Sequence, residues 1–155
     1  SAAASPRLRG RAAKPAGKTL TPLVAGAWRR VSAKTAKLRR HGADEAIFAN
    51  TVGNLCEGTG SNIFCVYDGE LVTPTLESGA LAGVTRALVL EWFGATERDV
   101  PLDSLFEAEE IFLTSTTRDV QAIHRVDDHT LAAPGPITSQ VAKTFAAHSA
   151  EDLNP

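Results

Sequence analysis

Three features of this 155-residue sequence predict an α+β domain. Short apolar runs bounded by Gly, Asn, Asp and Pro read as strands, and two longer segments carry helical spacing. The two kinds of element are mixed without the regular strand–helix–strand alternation of a doubly wound sheet. Residues 45–50 (Glu-Ala-Ile-Phe-Ala-Asn) form the first apolar strand, and 51–54 (Thr-Val-Gly-Asn) supply turn chemistry. Residues 62–67 alternate well enough for a half-buried strand, Asp68-Gly69 favours a tight hairpin turn, and 71–73 return as a strand ended by Pro74. Residues 83–93 place Val84, Ala87, Leu88, Leu90 and Trp92 at helical spacing, with Gly94 as the C-terminal stop. Pro101 opens a short helix to Glu109, and Ile111-Phe112-Leu113 is a buried strand. Residues 120–126 form another strand, with Val120, Ala122, His124 and Val126 on one face; residues 136–150 form a closing helix. No internal repeat is visible.

Composition bounds the class. With 43% apolar residues, 16 Lys and Arg against 18 Asp and Glu, and no stretch of about 18 uninterrupted apolar residues, the chain reads as one globular domain without a membrane span. Two cysteines, Cys56 and Cys65, are too few for a disulfide framework and point to a reduced, cytoplasmic setting. The chain contains no Met and opens Ser1-Ala2-Ala3, so a fragment or processed product is expected.

Charge is distributed unevenly. Residues 1–41 hold 11 of the 16 basic residues and no acid, a formal +11; the remaining 114 hold five basic and all 18 acidic residues, a formal −13. The chain therefore divides into 1–41, a basic, acid-free segment with no assigned element, and 42–155, the folded domain. Three readings of the first part stand: a solvated basic arm, an organelle transit peptide, and a GC-rich gene read out of frame. Trp28 is its one aromatic residue, too few for a base-stacking surface, which argues against a nucleic-acid partner. With weak apolar periodicity, 1–41 is expected to pack poorly on the domain.

Single-residue signals exclude several chemistries. His41, His124, His129 and His148 show no ligand spacing with one another or with cysteine, so no metal site is expected. Residues 12–19 imitate a phosphate-cradling P-loop but have Ala12 where the motif requires Gly, and no apolar strand precedes them. Ser61 and Ser115 lack the Gly-x-Ser-x-Gly elbow of a hydrolase nucleophile.

The informative stretch is 57–86. Glu57-x-Thr59-x-x-Asn62-Ile63-Phe64, Leu71-x-Thr73 and Leu81-x-Gly83-Val84-x-Arg86 together resemble the signature of the class IV aminotransferases, enzymes of pyridoxal-phosphate fold type IV. Gly42-Ala43-Asp44-Glu45-Ala46 resembles the segment leading into that family's first large-domain strand, and Phe112-Leu113-Thr114-Ser115-Thr116 its later phosphate-binding turn. The resemblance covers 42–155 and implies the C-terminal large domain of that fold. The family includes branched-chain and D-amino-acid transaminases and 4-amino-4-deoxychorismate lyase, which supplies 4-aminobenzoate for folate synthesis. The phrase at residues 49–62 looks most like bacterial lyases, so the lyase is the first expectation, with the transaminases and a non-catalytic fragment retaining the fold as alternatives.

The resemblance also implies roles. Pyridoxal phosphate needs a carboxylate beside its ring nitrogen to keep that nitrogen protonated, and Glu57 matches that residue. Val84 and Thr85 open the predicted helix, whose unpaired N–H groups suit the cofactor phosphate. Thr116, flanked by Ser115 and Thr117, would take the phosphate's other side and the substrate carboxylate. Leu81 would pack on the ring, with Gly60, Ser61 and Asn62 forming the turn along the pocket. The implied partners are a small amino substrate and, at full length, a second copy of the chain.

The lysine departs from the pattern. In the family the lysine that joins the cofactor lies a little over thirty residues before the glutamate, which from Glu57 points to Leu23, Val24 or Ala25. Lys18, in a Lys-Thr context, lies 39 residues upstream and Lys34 only 23; Lys18 is the catalytic candidate. The family tyrosine that follows the lysine is missing, Tyr67 being the sole tyrosine, and no smaller N-terminal domain is recognisable. The chain by itself is therefore not expected to turn over an amino acid or aminodeoxychorismate at a useful rate.

Overall fold

The structure is a computed structural model that describes residues 18–23, as backbone, and 43–152. Among these, nine strands and two α-helices surround two large apolar clusters and a small one of Ala43, Ala46 and Phe48. The strands are β1 (Lys18–Leu23), β2 (Glu45–Ala49), β3 (Leu55–Gly58), β4 (Asn62–Tyr67), β5 (Glu70–Thr73), β6 (Thr96–Glu97), β7 (Glu110–Ser115), β8 (Asp119–Val126) and β9 (His129–Thr130). The helices are α1 (Val84–Trp92) and α2 (Pro136–Asp152). The sheet runs β3-β2-β1-β8-β7-β4-β5-β6, with β9 paired to β8. β1 is parallel to both its neighbours and β5 to β6; the other pairings are antiparallel.

Chain connectivity closes this order on itself. β3 and β4 lie apart along the sheet path, yet only residues 59–60 separate Gly58 from Ser61, and these two bridge, with Gly58 N–H donating to the Ser61 carbonyl at 2.8 Å. The path from β3 to β4 therefore bends into a ring. Ile63 and Cys65 of β4, Ile111 and Leu113 of β7, Ile47 of β2 and Ile123 of β8 fill its inside, with Leu102 and Leu105 packed against them. Alternate residues Phe64, Val66 and Phe112 face outward, where Val89 of α1 and Val141 and Phe145 of α2 cover them. Phe64 and Phe112 are direct cross-strand partners, and their rings stack at 4.8 Å. Both faces of β4 and β7 are thus buried, which explains their nearly continuous apolar sequence.

The β4–β5 hairpin follows its turn residues. Asp68 and Gly69 both have positive φ, 49° and 75°, the pairing that matches hairpin twist. Asp119 and Asp127, at the next two hairpins, also have positive φ, tolerated because their short side chains are polar. At 51–54 the Asn50 side-chain oxygen accepts the N–H groups of Val52 and Asn54 and so builds the turn.

Several expectations are corrected. Lys18–Leu23, within the segment expected to pack poorly, is a strand whose backbone pairs in parallel with β2 on one side and β8 on the other. Trp28, Lys34, the Leu23-following positions Val24 and Ala25, and the rest of 1–41 lie outside the described residues. The helix expected from Pro101 to Glu109 is a 3₁₀ turn, Leu102–Phe106, because Glu109 N–H donates to the Val66 carbonyl and the chain has already joined the sheet edge. Leu55–Gly58, to which the sequence assigns no element, is a strand paired with β2. In β8, Val126 packs with Ile123 rather than with Val120, since the β1–β8 register shifts between Lys18↔Ile123 and Thr19↔Arg125. That irregularity breaks the single face expected for Val120, Ala122, His124 and Val126.

Helix α2 starts on a buried carboxylate. Glu110, on the outward face of β7, accepts the N–H groups of Ile137 at 3.0 Å and Thr138 at 2.7 Å, satisfying two donors that no helix can satisfy internally. A Cβ at Gly135 would come within 2.2 Å of this carboxylate, so glycine is required there. Glu110→Ala is expected to lower unfolding free energy by about 2–3 kcal/mol, read as a shift of the urea midpoint without a change in slope.

Candidate functional site

The site is organised around the backbone of one residue, Leu81. Glu57, buried on β3, accepts the Leu81 N–H at 2.8 Å through Oε2. The Leu81 carbonyl accepts from Asn62 Nδ2 at 2.7 Å and from Gly83 N–H at 2.8 Å. Gly83 is the N-cap of α1 and offers no side-chain cap, so the first-turn N–H groups of the helix are not closed off by their own chain. A Cβ at Gly83 would lie 2.1 Å from Asn62 Oδ1. Glycine is what lets strand β4 press this close under the helix start.

The other residues take distinct places. Thr85 is buried in the first turn of α1, whereas Leu81 and Val84 are 69% and 64% exposed and present apolar surface beside it. Asn62 stands opposite Thr114 in the β4–β7 ladder, and the buried Thr114 hydroxyl has no hydrogen-bond partner there. Ser115 ends β7; Thr116 and Thr117 are exposed in the following turn, with Ser115 and Thr117 hydroxyls 3.4 Å apart. Gly60 is exposed in the turn between β3 and β4, and the Ser61 hydroxyl is spent on the Glu45 carboxylate. The structure thus brings Glu57, Asn62, Leu81 and the start of α1 together by direct bonds, while Thr116 lies just beyond β7, whose Thr114 pairs with Asn62. Among the described residues no hydrogen bond joins the 115–119 turn to Glu57 or Thr85. Lys18 begins β1 in register with Ile123.

Residues outside the expected cofactor contacts complete the surroundings. Arg86, buried in α1, donates to the Pro74 carbonyl at 2.9 Å and pairs with Glu97, anchoring the helix to the β5–β6 edge. Arg118 donates to Glu45 Oε2 at 2.9 Å and to Ser115 Oγ at 3.3 Å. A signal for Glu45 existed in the 42–46 segment, but nothing in sequence spacing pairs it with Arg118, 73 positions away. Tyr67, the sole tyrosine, bonds Ser104 at 2.8 Å against the inner apolar cluster. Among the described residues no cluster of His, Cys, Asp and Glu is arranged to hold a metal, and no helix is long and apolar enough to cross a membrane.

The sequence and the fold both have known relatives. The family model for amino-transferase class IV matches residues 29–126. The chain is 36% identical over 110 residues to a probable branched-chain-amino-acid aminotransferase of Thermotoga maritima, covering 65% of this chain and 40% of that protein. It is 32% identical over 149 residues to the branched-chain-amino-acid aminotransferase of Escherichia coli K12, covering 92% of this chain and 45% of that one. The branched-chain aminotransferase of Thermoproteus uzoniensis, solved with norvaline, superposes with a TM-score of 0.77 at 31% identity over 86% of this chain and 51% of its own. An aminotransferase of Brucella abortus bound to pyridoxal phosphate shares the fold, with a TM-score of 0.77 at 23% identity, over 88% of this chain and 55% of its own. The chain belongs to the class IV aminotransferase family and has the fold of type IV pyridoxal-phosphate enzymes. It spans about half the length of these relatives or less.

Electrostatics adds a cost at the centre of the site. Burial pushes the Glu57 carboxyl above its ordinary value of 4.5, opposed by the Leu81 hydrogen bond. The folded state therefore holds a proton on Glu57 at pH values where the unfolded chain has lost it, and stability falls as pH rises from about 4.5 through the raised value. Glu57→Gln, whose amide oxygen still accepts from Leu81, is expected to be more stable than the parent at neutral pH. The gain should vanish below pH 4.5, as read by urea unfolding at both pH values.

Proposed function

We propose that this chain binds pyridoxal phosphate and carries the cofactor-holding part of a transaminase for amino acids of the branched-chain type. The observation that carries this reading is the bonded path from the buried Glu57 carboxylate through the Leu81 backbone to the open N-terminus of α1. A cofactor with a cationic ring nitrogen at one end and a phosphate dianion at the other requires that pairing. The residues fit it: a desolvated carboxylate awaits a positive partner, and a close-packed glycine leaves room at an uncapped helix start. When bound, the cofactor supplies an electron sink for charge from the substrate carbon.

The chain's own residues would act as follows. Glu57 keeps the ring nitrogen protonated, and the positive charge there would in turn draw the Glu57 carboxyl back toward its ordinary range. The α1 N–H groups and the Thr85 hydroxyl hold the phosphate, with Thr116 on its other side and Ser115 and Thr117 supporting that turn. Leu81 and Val84 wall the ring and limit water. Lys18 is the candidate for covalent attachment and proton transfer, its strand lying in the sheet between β2 and β8. Three of the four relatives compared above are named branched-chain aminotransferases and none a lyase, which gives the lyase expectation no support; a homodimer is the assembly expected from the family resemblance.

Titration of the purified chain with pyridoxal phosphate tests the reading. Saturable binding is expected, weakened by about tenfold or more in Glu57→Ala and in Thr85→Ala. A shift of the cofactor absorbance on covalent attachment should be lost in Lys18→Ala. Binding that is absent, or unchanged in Glu57→Ala, overturns the proposal. Assays for 2-oxo acid and glutamate formation, beside pyruvate and 4-aminobenzoate formation, separate transaminase from lyase. Retained binding without either product identifies a non-catalytic binding chain.

A further inference from the structure

Glu45 lies outside the residues to which the cofactor reading gives a task, yet it joins the two turns that flank the site. It opens β2 and is almost fully buried. One carboxylate oxygen accepts from the Ser61 hydroxyl, in the turn that links Glu57's strand to Asn62's strand. The other accepts from Arg118 Nη1 at 2.9 Å, and the Arg118 Nε donates to Ser115 Oγ at 3.3 Å, in the turn that carries Thr116 and Thr117. A Cβ at Gly58 would come within 2.2 Å of Ser61 Oγ and 2.7 Å of Glu45 Oε1, so these groups pack against bare backbone. The same strand is tied to the first turn again where the Thr59 hydroxyl meets the Ala46 peptide at 3.4 Å.

We propose that Glu45 is a positioning residue: it clamps the 115–118 turn to the 58–61 turn and so fixes the distance between the phosphate end and the ring-nitrogen end of the cofactor site. This deepens the pyridoxal-phosphate reading and rests on it. The carboxylate is suited to the task because it can take one donor from each turn at once. Burial also makes its charge depend on Arg118, whose side chain is 30% exposed and keeps the pair in contact with solvent. Burial pushes the Glu45 carboxyl above its ordinary value, and the Ser61 hydrogen bond opposes that shift.

The test compares pyridoxal phosphate with pyridoxal, which lacks the phosphate, on the parent chain, Glu45→Gln, Arg118→Gln and the double variant. Each single variant should lose about tenfold in affinity for pyridoxal phosphate with little change for pyridoxal, and the double variant should lose no more than either single one. Equal losses for both ligands, or additive losses, overturn the inference. Amide hydrogen exchange without cofactor gives an independent reading: residues 115–119 should exchange faster in Glu45→Gln and in Arg118→Gln. Unchanged exchange there overturns the clamp. If the parent chain binds no cofactor, the functional reading fails by itself, and the clamp is still decided by the exchange.

Discussion

The Leu81 backbone is held at both of its polar groups, its N–H by the Glu57 carboxylate and its carbonyl by the Asn62 amide. Everything proposed for the site depends on that double hold. An extended loop leading into a helix has many orientations open to it, and a few bonds to the segment just before the first turn remove most of them. Fixing Leu81 fixes Gly83 by the next hydrogen bond and with it the direction in which the first N–H groups of α1 point. The partners that do the holding belong to β3 and β4, which the ring of strands brings together at Gly58 and Ser61. A helix terminus and a strand carboxylate thus become parts of one rigid unit although 24 positions separate Glu57 from Leu81.

The site is built against stability as well as for binding. Two carboxylates, Glu45 and Glu57, are buried with their titration pushed upward, and the Thr114 hydroxyl is buried without a hydrogen bond. Groups like these cost free energy unless a partner arrives or the surroundings over-determine them. The apolar clusters inside and outside the ring supply that surplus, with Phe64 and Phe112 stacked at its wall. Glu110 shows the contrasting case, a buried carboxylate that gains two strong backbone donors and ties α2 to the sheet.

Local chemistry made part of this legible from the sequence. The strand at 62–67, the Asp68-Gly69 turn, the helix after Gly83 and the strand around Ile111 follow from short-range preferences, and the structure contains each of them. Where tertiary contacts decide, the sequence misled. The sequence assigns no element to Leu55–Gly58 or to Lys18–Leu23, which become strands by pairing with β2 and with both β2 and β8. The face of β8 could not be assigned without the irregular register against β1. At the site, Glu57, Leu81 and Thr85 stood out through their motif. The pairing of Glu45 with Arg118 and the grip of Asn62 on Leu81 join positions that no local spacing connects.

Closure of the strand order has a consequence for how the molecule behaves among its own copies. An open sheet ends in rows of unmatched peptide groups that can recruit another chain, and long, flat, apolar ends are the hazardous ones. Here one terminus of the order, β3, is turned back onto β4 at Gly58 and onto Val100 through the Leu55 N–H. The other terminus, β6, is only two exposed residues long, Thr96 and Glu97, flanked by the Arg98–Glu70 ion pair. Charged and very short, it is a poor template for strand addition. The ring that assembles the proposed site thereby also covers one of the two edges through which a β-rich domain would otherwise recruit its copies.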